Sequence, residues 1–338
     1  MAIYQIYKLL FNRSRQRNLL SKMDGKSAYD KAQELLEEML GNTLPVIKEK
    51  RDKSLVRLEN YVEKCRERVT VLVICNERNH KYKEKMDELE LVYHPGCRVI
   101  VDNRPGIAQI AIERSSSFDG KTETVRSLLQ EAFCKLFDQY QLTVEIRAKK
   151  REGTFWEAVD EQCLTYQDQI THVVYEFPDS DEVGPVDASQ QTLDKLSLLK
   201  SLNAAMNAAR GVYHAYSDKD KVIKLDRTRE DIANMVSMCC YNGYNISVHF
   251  KHYGIYRFGT DIKALSHLKD DVLKDFSNGQ TVIGKSLEGE FELIQWLDEV
   301  RRITENYKDE EPVEKKRKGR YKLPDERESP LGCVAESE

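Results

Sequence analysis

Between Tyr93 and Lys150 the chain sets out two strand-like runs around a turn, then a helical stripe, then a third strand-like run. No other feature restricts the fold as much. Cys97-Arg98-Val99-Ile100-Val101 and Ile107-Ala108-Gln109-Ile110-Ala111-Ile112 are rich in β-branched residues, and Asp102-Asn103-Arg104-Pro105-Gly106 between them has turn chemistry. Val125, Leu128, Leu129, Ala132, Phe133, Leu136 and Phe137 then recur at helical spacing within 124–140. Leu142 to Arg147 resumes a strand and runs into Lys149-Lys150-Arg151. This order predicts an α+β fold: a mixed or antiparallel sheet with helices largely on one face.

The 338 residues are enough for two cores, and the pattern divides into four parts. Residues 1–177 are expected to form an N-terminal α+β domain, opened by a strand that alternates over Ile3–Lys8 and closed by a strand at Ile170–Phe177. Residues 178–188, with two prolines, a glycine and several acids, have linker chemistry. A smaller α+β domain is expected over 189–307. Residues 308–338 hold hardly any large apolar side chain and read as a disordered charged tail that includes Lys315 to Lys318. Helices are expected from Ser27, through a Ser27/Asp30 capping box, and from Thr154, through a Thr154/Glu157 box. Further helices are read over 193–209, 262–276 and 289–307, and another capped by Thr228.

Hydrophobic residues make up 40% of the chain and charged residues 33%, with no run of about 20 apolar residues. A cytoplasmic protein is expected. The eight cysteines are scattered, several on apolar faces, which suits reduced buried thiols better than a disulfide framework. Neither phosphate-binding glycine pattern is present. Cys239-Cys240 followed by His249 and His252 supplies zinc-type atoms at the wrong spacing, so no metal or cofactor is expected.

Two readings of the charged residues remain. A divalent-ion nuclease needs carboxylates at neighbouring strand ends; Asp102, Glu113 and Glu145 are the candidates, although Ile146-Arg147 replaces the usual acid-x-lysine step. The other reading is non-catalytic. With a net charge of −4, nucleic-acid binding must come from local clusters. Arg13, Arg15, Arg17 and Lys22, with Lys26, form one; Arg147, Lys149, Lys150 and Arg151 form another, expected on a loop that meets phosphates. A third class, a protein-interaction subunit, is suggested by the 17 tyrosines, among them Tyr241, Tyr244 and Tyr253.

The run Arg98-Val99-Ile100-Val101-Asp102, the glycine turn, the return strand Ile107–Arg114, a helix, Val144-Glu145-Ile146-Arg147, Arg151-Glu152-Gly153-Thr154, a second helix and the strand Ile170–Tyr175 together resemble the layout of phage-exclusion proteins of the RexA type and of looser bacterial antiphage relatives. That resemblance covers about a third of the chain. It implies a two-domain homodimer that binds DNA without sequence preference, senses phage replication complexes and signals to a protein partner in the membrane. The expectation drawn from both lines is a nucleic-acid-binding or sensor protein of an antiphage defence system, with a nuclease effector or an interaction subunit as alternatives.

Overall fold

The computed structural model describes residues 1–13, 22–23, 26–41, 44–49, 53–84, 87–178, 197–198, 201–206, 208, 210–218, 221–241, 245–269, 271–273 and 287–310. Arg15, Arg17, most of the expected linker and the tail from 311 onward lie outside them.

In chain order the strands are β1 (Ala2–Arg13), the short β2 (Lys22–Met23) and β3 (Lys26–Ser27), β4 (Ile47–Glu49), β5 (Leu55–Arg57), β6 (Asn60–Lys64), β7 (Val69–Cys75), β8 (Arg78–Glu84), β9 (Asp87–Tyr93), β10 (Gly96–Asp102), β11 (Gln109–Glu113) and β12 (Leu142–Arg151). They continue with β13 (Ile170–Pro178), β14 (Arg210–Tyr216), β15 (Asn245–Phe250), β16 (Gly254–Arg257), β17 (Ile262–Lys263), β18 (Leu265–Leu268) and β19 (Lys308–Asp309). The helices are α1 (Ala32–Met39), α2 (Thr122–Phe137), α3 (Phe155–Asp160), α4 (Glu230–Tyr241) and α5 (Leu287–Thr304). The protein is α+β, with antiparallel pairing throughout its two larger sheets.

The hairpin at the centre of the sequence pattern forms as expected. β10 and β11 pair with Val99 opposite Ile112 and Asp102 opposite Gln109. Gly106 takes φ +76°, a backbone region glycine enters without a Cβ clash, and this closes the turn. The hairpin lies inside a nine-stranded sheet whose main path is β17-β12-β1-β11-β10-β7-β6, with β18 added to β1 and β19 to β12. β7 is buried along all seven residues, because the sheet is covered on both faces here. On one face α1 and α2 bring Leu36, Leu129, Phe133 and Phe137 against Tyr7, Leu72, Val99 and Ile146. On the other face α5 lays Leu293, Trp296, Leu297 and Val300 over Tyr4, Ile6, Val71 and Ile100.

In the second sheet, β14-β13-β15-β16, the described helices that pack on it lie behind one face. Val159 of α3 and Val236 and Cys239 of α4 pack on Val173, Tyr175, Val248 and Tyr256. The strand expected to close the first unit is therefore β13, paired on either side with β14 and β15. The chain then returns: 262–268 is β17 and β18 rather than a helix, pairing with β12 and β1. Elements from both sides of the 178–188 segment thus share one sheet. Ile262, Ala264 and Leu268 are buried as this run pairs first with β12 and then with β1, a long-range arrangement that helical spacing alone does not reveal.

Two helix starts differ from each other. Thr154 caps α3 as expected, its Oγ1 accepting from the Glu157 N–H at 3.3 Å while Glu157 Oε2 accepts from the Thr154 N–H at 2.9 Å. The Ser27/Asp30 box does not form. Ser27 belongs to β3 and α1 starts at Ala32, with no side-chain cap on Lys31.

Candidate nucleic-acid interface

The carboxylates proposed for a divalent ion are not brought together. Asp102 is opposite Gln109, four residues from Glu113, so about 3.4 Å per residue puts the two near opposite ends of the hairpin. Glu113 pairs with Tyr4 on one side of β1, and Glu145 with Leu10 on the other, roughly 20 Å along that strand at the same rise. Two ligands of one divalent ion must each reach it at about 2.0–2.6 Å. Each carboxylate instead has its own arginine. Arg104 donates Nε and Nη2 to Asp102 at 2.9 and 2.7 Å; Arg98 donates Nε and Nη2 to Glu113 at 3.0 and 2.6 Å; Arg147 donates to Glu145 at 2.7 Å. Asp102 and Glu113 are also largely closed off from solvent, Asp102 being 1% exposed and the Glu113 side chain 12%. No group of three or more His, Cys, Asp or Glu suited to a metal ion occurs among the described residues.

The zinc-like set is dispersed as well. Cys239 faces the core behind the second sheet and His249 its opposite face. Burial pushes the Cys239 and Cys240 thiols up to about 12, away from the thiolate a metal needs. His252 donates from its backbone to buried Asp168, and its Nδ1 lies 3.1 Å from the same carboxylate.

The second cation cluster is on a strand, not a loop. β12 continues through Lys149, Lys150 and Arg151 because β17 and β19 pair with its end. Each cation meets an acid: Arg147 with Glu145 at 2.7 Å, Lys149 with Asp309 at 3.0 Å, Lys150 with Glu310 at 2.9 Å and Arg151 with Glu161 at 2.7 Å. The patch expected to be open is thus neutralised by the chain itself. In the first cluster Arg13 ends β1 with its guanidinium 5.0 Å from the Tyr29 ring centre, and the backbone of Lys22 pairs in β2.

The sequence reading missed the outward face of the second sheet. Strand alternation places Tyr216 and His214 of β14, His172 and Val174 of β13, Ser247 and His249 of β15, and Ile255 and Arg257 of β16 on the side away from α3 and α4. His172 is central, opposite Tyr216 on one neighbouring strand and His249 on the other. The Tyr216 ring stacks on His172 with centroids 4.1 Å apart and planes 11° apart, and His249 lies tilted at 4.5 Å. His172 Nε2 is 2.9 Å from His214 Nδ1, a hydrogen bond that needs a proton on one nitrogen only. Loss of solvation, then the neighbouring His214, lowers the His172 pKa; loss of solvation, then His172 and Arg257, lowers that of His249. Tyr216 is 69% exposed, so the far side of its ring faces solvent. Beside Ile255 and Arg257 a pocket of about 300 Å³ also takes in Lys150, Lys263, Thr260 and Asp261. The signal for this face was present in sequence as histidines at outward positions of three strand-like runs; their pairing was not.

Comparison with known proteins finds no matching family model, no matching curated protein and no matching solved structure. No helix among the described residues is long and apolar enough to cross a membrane.

Proposed function

We propose that this protein binds single-stranded nucleic acid on the open face of its second sheet and acts without catalysis, as the sensing component of an antiphage defence system. The reading is carried by the Tyr216–His172 stack, which leaves an aromatic plane exposed on the sheet face away from α3 and α4. Unstacked bases pack on such planes whatever their identity, each contact being worth about 1–3 kcal/mol. Exposed Arg257 lies on the face and exposed Lys251 directly follows β15, and both suit the phosphates of the same strand. The RexA-type layout supports sensing over cleavage, as does the dispersal of Asp102, Glu113 and Glu145.

The test is anisotropy with labelled oligothymidylate and its RNA counterpart. Tyr216→Ala should weaken binding about 5- to 150-fold, the equivalent of 1–3 kcal/mol of stacking. Arg257→Gln should flatten the salt dependence by about one contact. Unchanged affinity in Tyr216→Ala refutes the assignment.

An interaction subunit is the second reading. Leu198, Leu202 and Met206, spaced four apart in a stretch with helical turns, are 62%, 48% and 67% exposed. It predicts a complex that survives high salt, because apolar contacts are not screened. A monomeric mass and no co-purifying protein at high salt dismiss it.

A further inference from the structure

The cations of β12 lie against a short acidic strap. β19 runs along β12 with Asp309 opposite Lys149 and Lys308 opposite Lys150, and the Glu310 N–H donates to Ala148 O at 2.9 Å. Asp309 reaches two cations, Lys8 at 2.9 Å and Lys149 at 3.0 Å. Glu310 also reaches two, Lys150 at 2.9 Å and Arg126 at 3.5 Å. Each carboxylate therefore sits where the oxygens of one phosphate would engage the same pair of nitrogens.

We propose that Lys8, Arg126, Lys149 and Lys150 form a second, phosphodiester-binding surface that the chain's own Asp309 and Glu310 occupy until a nucleic-acid backbone displaces them. Charge supports it. Without the strap, the six cations Lys8, Arg126, Arg147, Lys149, Lys150 and Arg151 keep ion pairs to Glu145, Glu157 and Glu161 among the described residues. Geometry selects a polymer over a small anion. Lys8 and Lys149 share one face of the sheet while Lys150 points to the other, so the two carboxylate positions straddle the sheet edge. A continuous backbone can follow that path and release counterions at each contact. The strap is also cheap to lift. Apart from the four ion pairs that a phosphodiester would replace, two paired residues, the Glu310 amide and a Lys308–Glu152 ion pair hold it, a small local opening compared with loss of the core.

The proposal shares a ligand class with the open face but not its stacking residues; of the four cations, Lys150 also lines the pocket beside Ile255 and Arg257. The experiment compares the full chain with D309N/E310Q, which keeps shape and removes both charges, using a short labelled DNA duplex at several salt concentrations. The variant should bind at least about tenfold more tightly, with a salt slope steeper by about 2–4. Adding K149Q/K150Q should abolish that gain, and adding Y216A should not, which separates this surface from the stacking face. Equal affinity and slope in D309N/E310Q overturn the proposal. Where that variant melts early, hydrogen exchange on the unmodified chain decides: the Glu310 amide should exchange faster with duplex present, and unchanged exchange overturns the idea equally.

Discussion

Asp102 and Arg104, two residues apart in one turn, hold each other through a two-point pair while Arg104 Nη1 reaches Asp298 of α5 at 2.9 Å. The turn of the central hairpin is thereby tied to the helix that covers the opposite face of the sheet. Hydrogen bonds donated to Asp102 raise the Arg104 pKa, so this charge is permanent. Asp102→Asn should destabilise the fold by about 3 kcal/mol, at the lower end for breaking a buried pair because Asp298 keeps one nitrogen engaged. Urea unfolding measures it. A loss below about 0.5 kcal/mol shows that the turn does not depend on the pair.

Trp296 anchors α5. Its Nε1 donates to His267 O at 2.7 Å, and its ring meets Tyr4 edge-on with centroids 5.5 Å apart. Trp296→Ala removes this contact with β1 and β18 together and should cost about 3–5 kcal/mol. Trp296→Phe keeps an aromatic ring in the core but leaves His267 O without its donor, for a smaller loss of about 1–3 kcal/mol. Equal losses for the two variants are the outcome that contradicts this account.

The histidine face should respond to pH in two opposite senses. His172 and His249 titrate below their ordinary value, near 6.5, so the fold favours their neutral forms. Stability from them is complete above about pH 6.5 and declines as pH falls toward the folded-state values. Protonation also adds positive charge beside Tyr216, so affinity for oligothymidylate should rise over the same window. Proton NMR titration of the ring signals checks the first statement and anisotropy the second; midpoints above 6.5 contradict both.

Asp309 titrates in the other direction from what burial alone would give. Burial raises its pKa, but hydrogen bonds from Lys8 and Lys149 leave it below the ordinary aspartate value. Its contribution is therefore present above about pH 4 and lost as pH falls through the lowered value. Amide exchange at Glu310, whose N–H donates to Ala148 O, should quicken below pH 4, before the core amides of β7 respond. Simultaneous release of both regions is inconsistent with a separately opening strap.

Local patterns carried far in this chain and then stopped at identifiable places. The β10–β11 hairpin, α2 and the Thr154 cap were legible because turn residues, an apolar stripe and a capping box each act within a few residues. The fate of Lys149 and Lys150 was not, since their partners Asp309 and Glu310 are about 160 residues away and lie in a segment whose composition resembles a solvated tail. Asp102 was misjudged although its partner is only two residues on; alternation along a strand predicts a face, and burial of this face depends on α5. His172, His214 and His249 stand on three strands, and only the pairing of β13 with β14 and β15 makes them one surface.

The return of the chain to β1 sets the order in which the protein can be completed on the ribosome. β1 emerges first, yet its partners β11, β12 and β18 follow in turn, and α5, which covers Tyr4 and Ile6, leaves the exit tunnel last among the elements packed on it. At about 5–20 residues per second, nearly 300 residues separate them by roughly 15–60 s. Throughout that interval one side of the nascent sheet stays greasy and open, a natural client for a chaperone until Trp296 arrives.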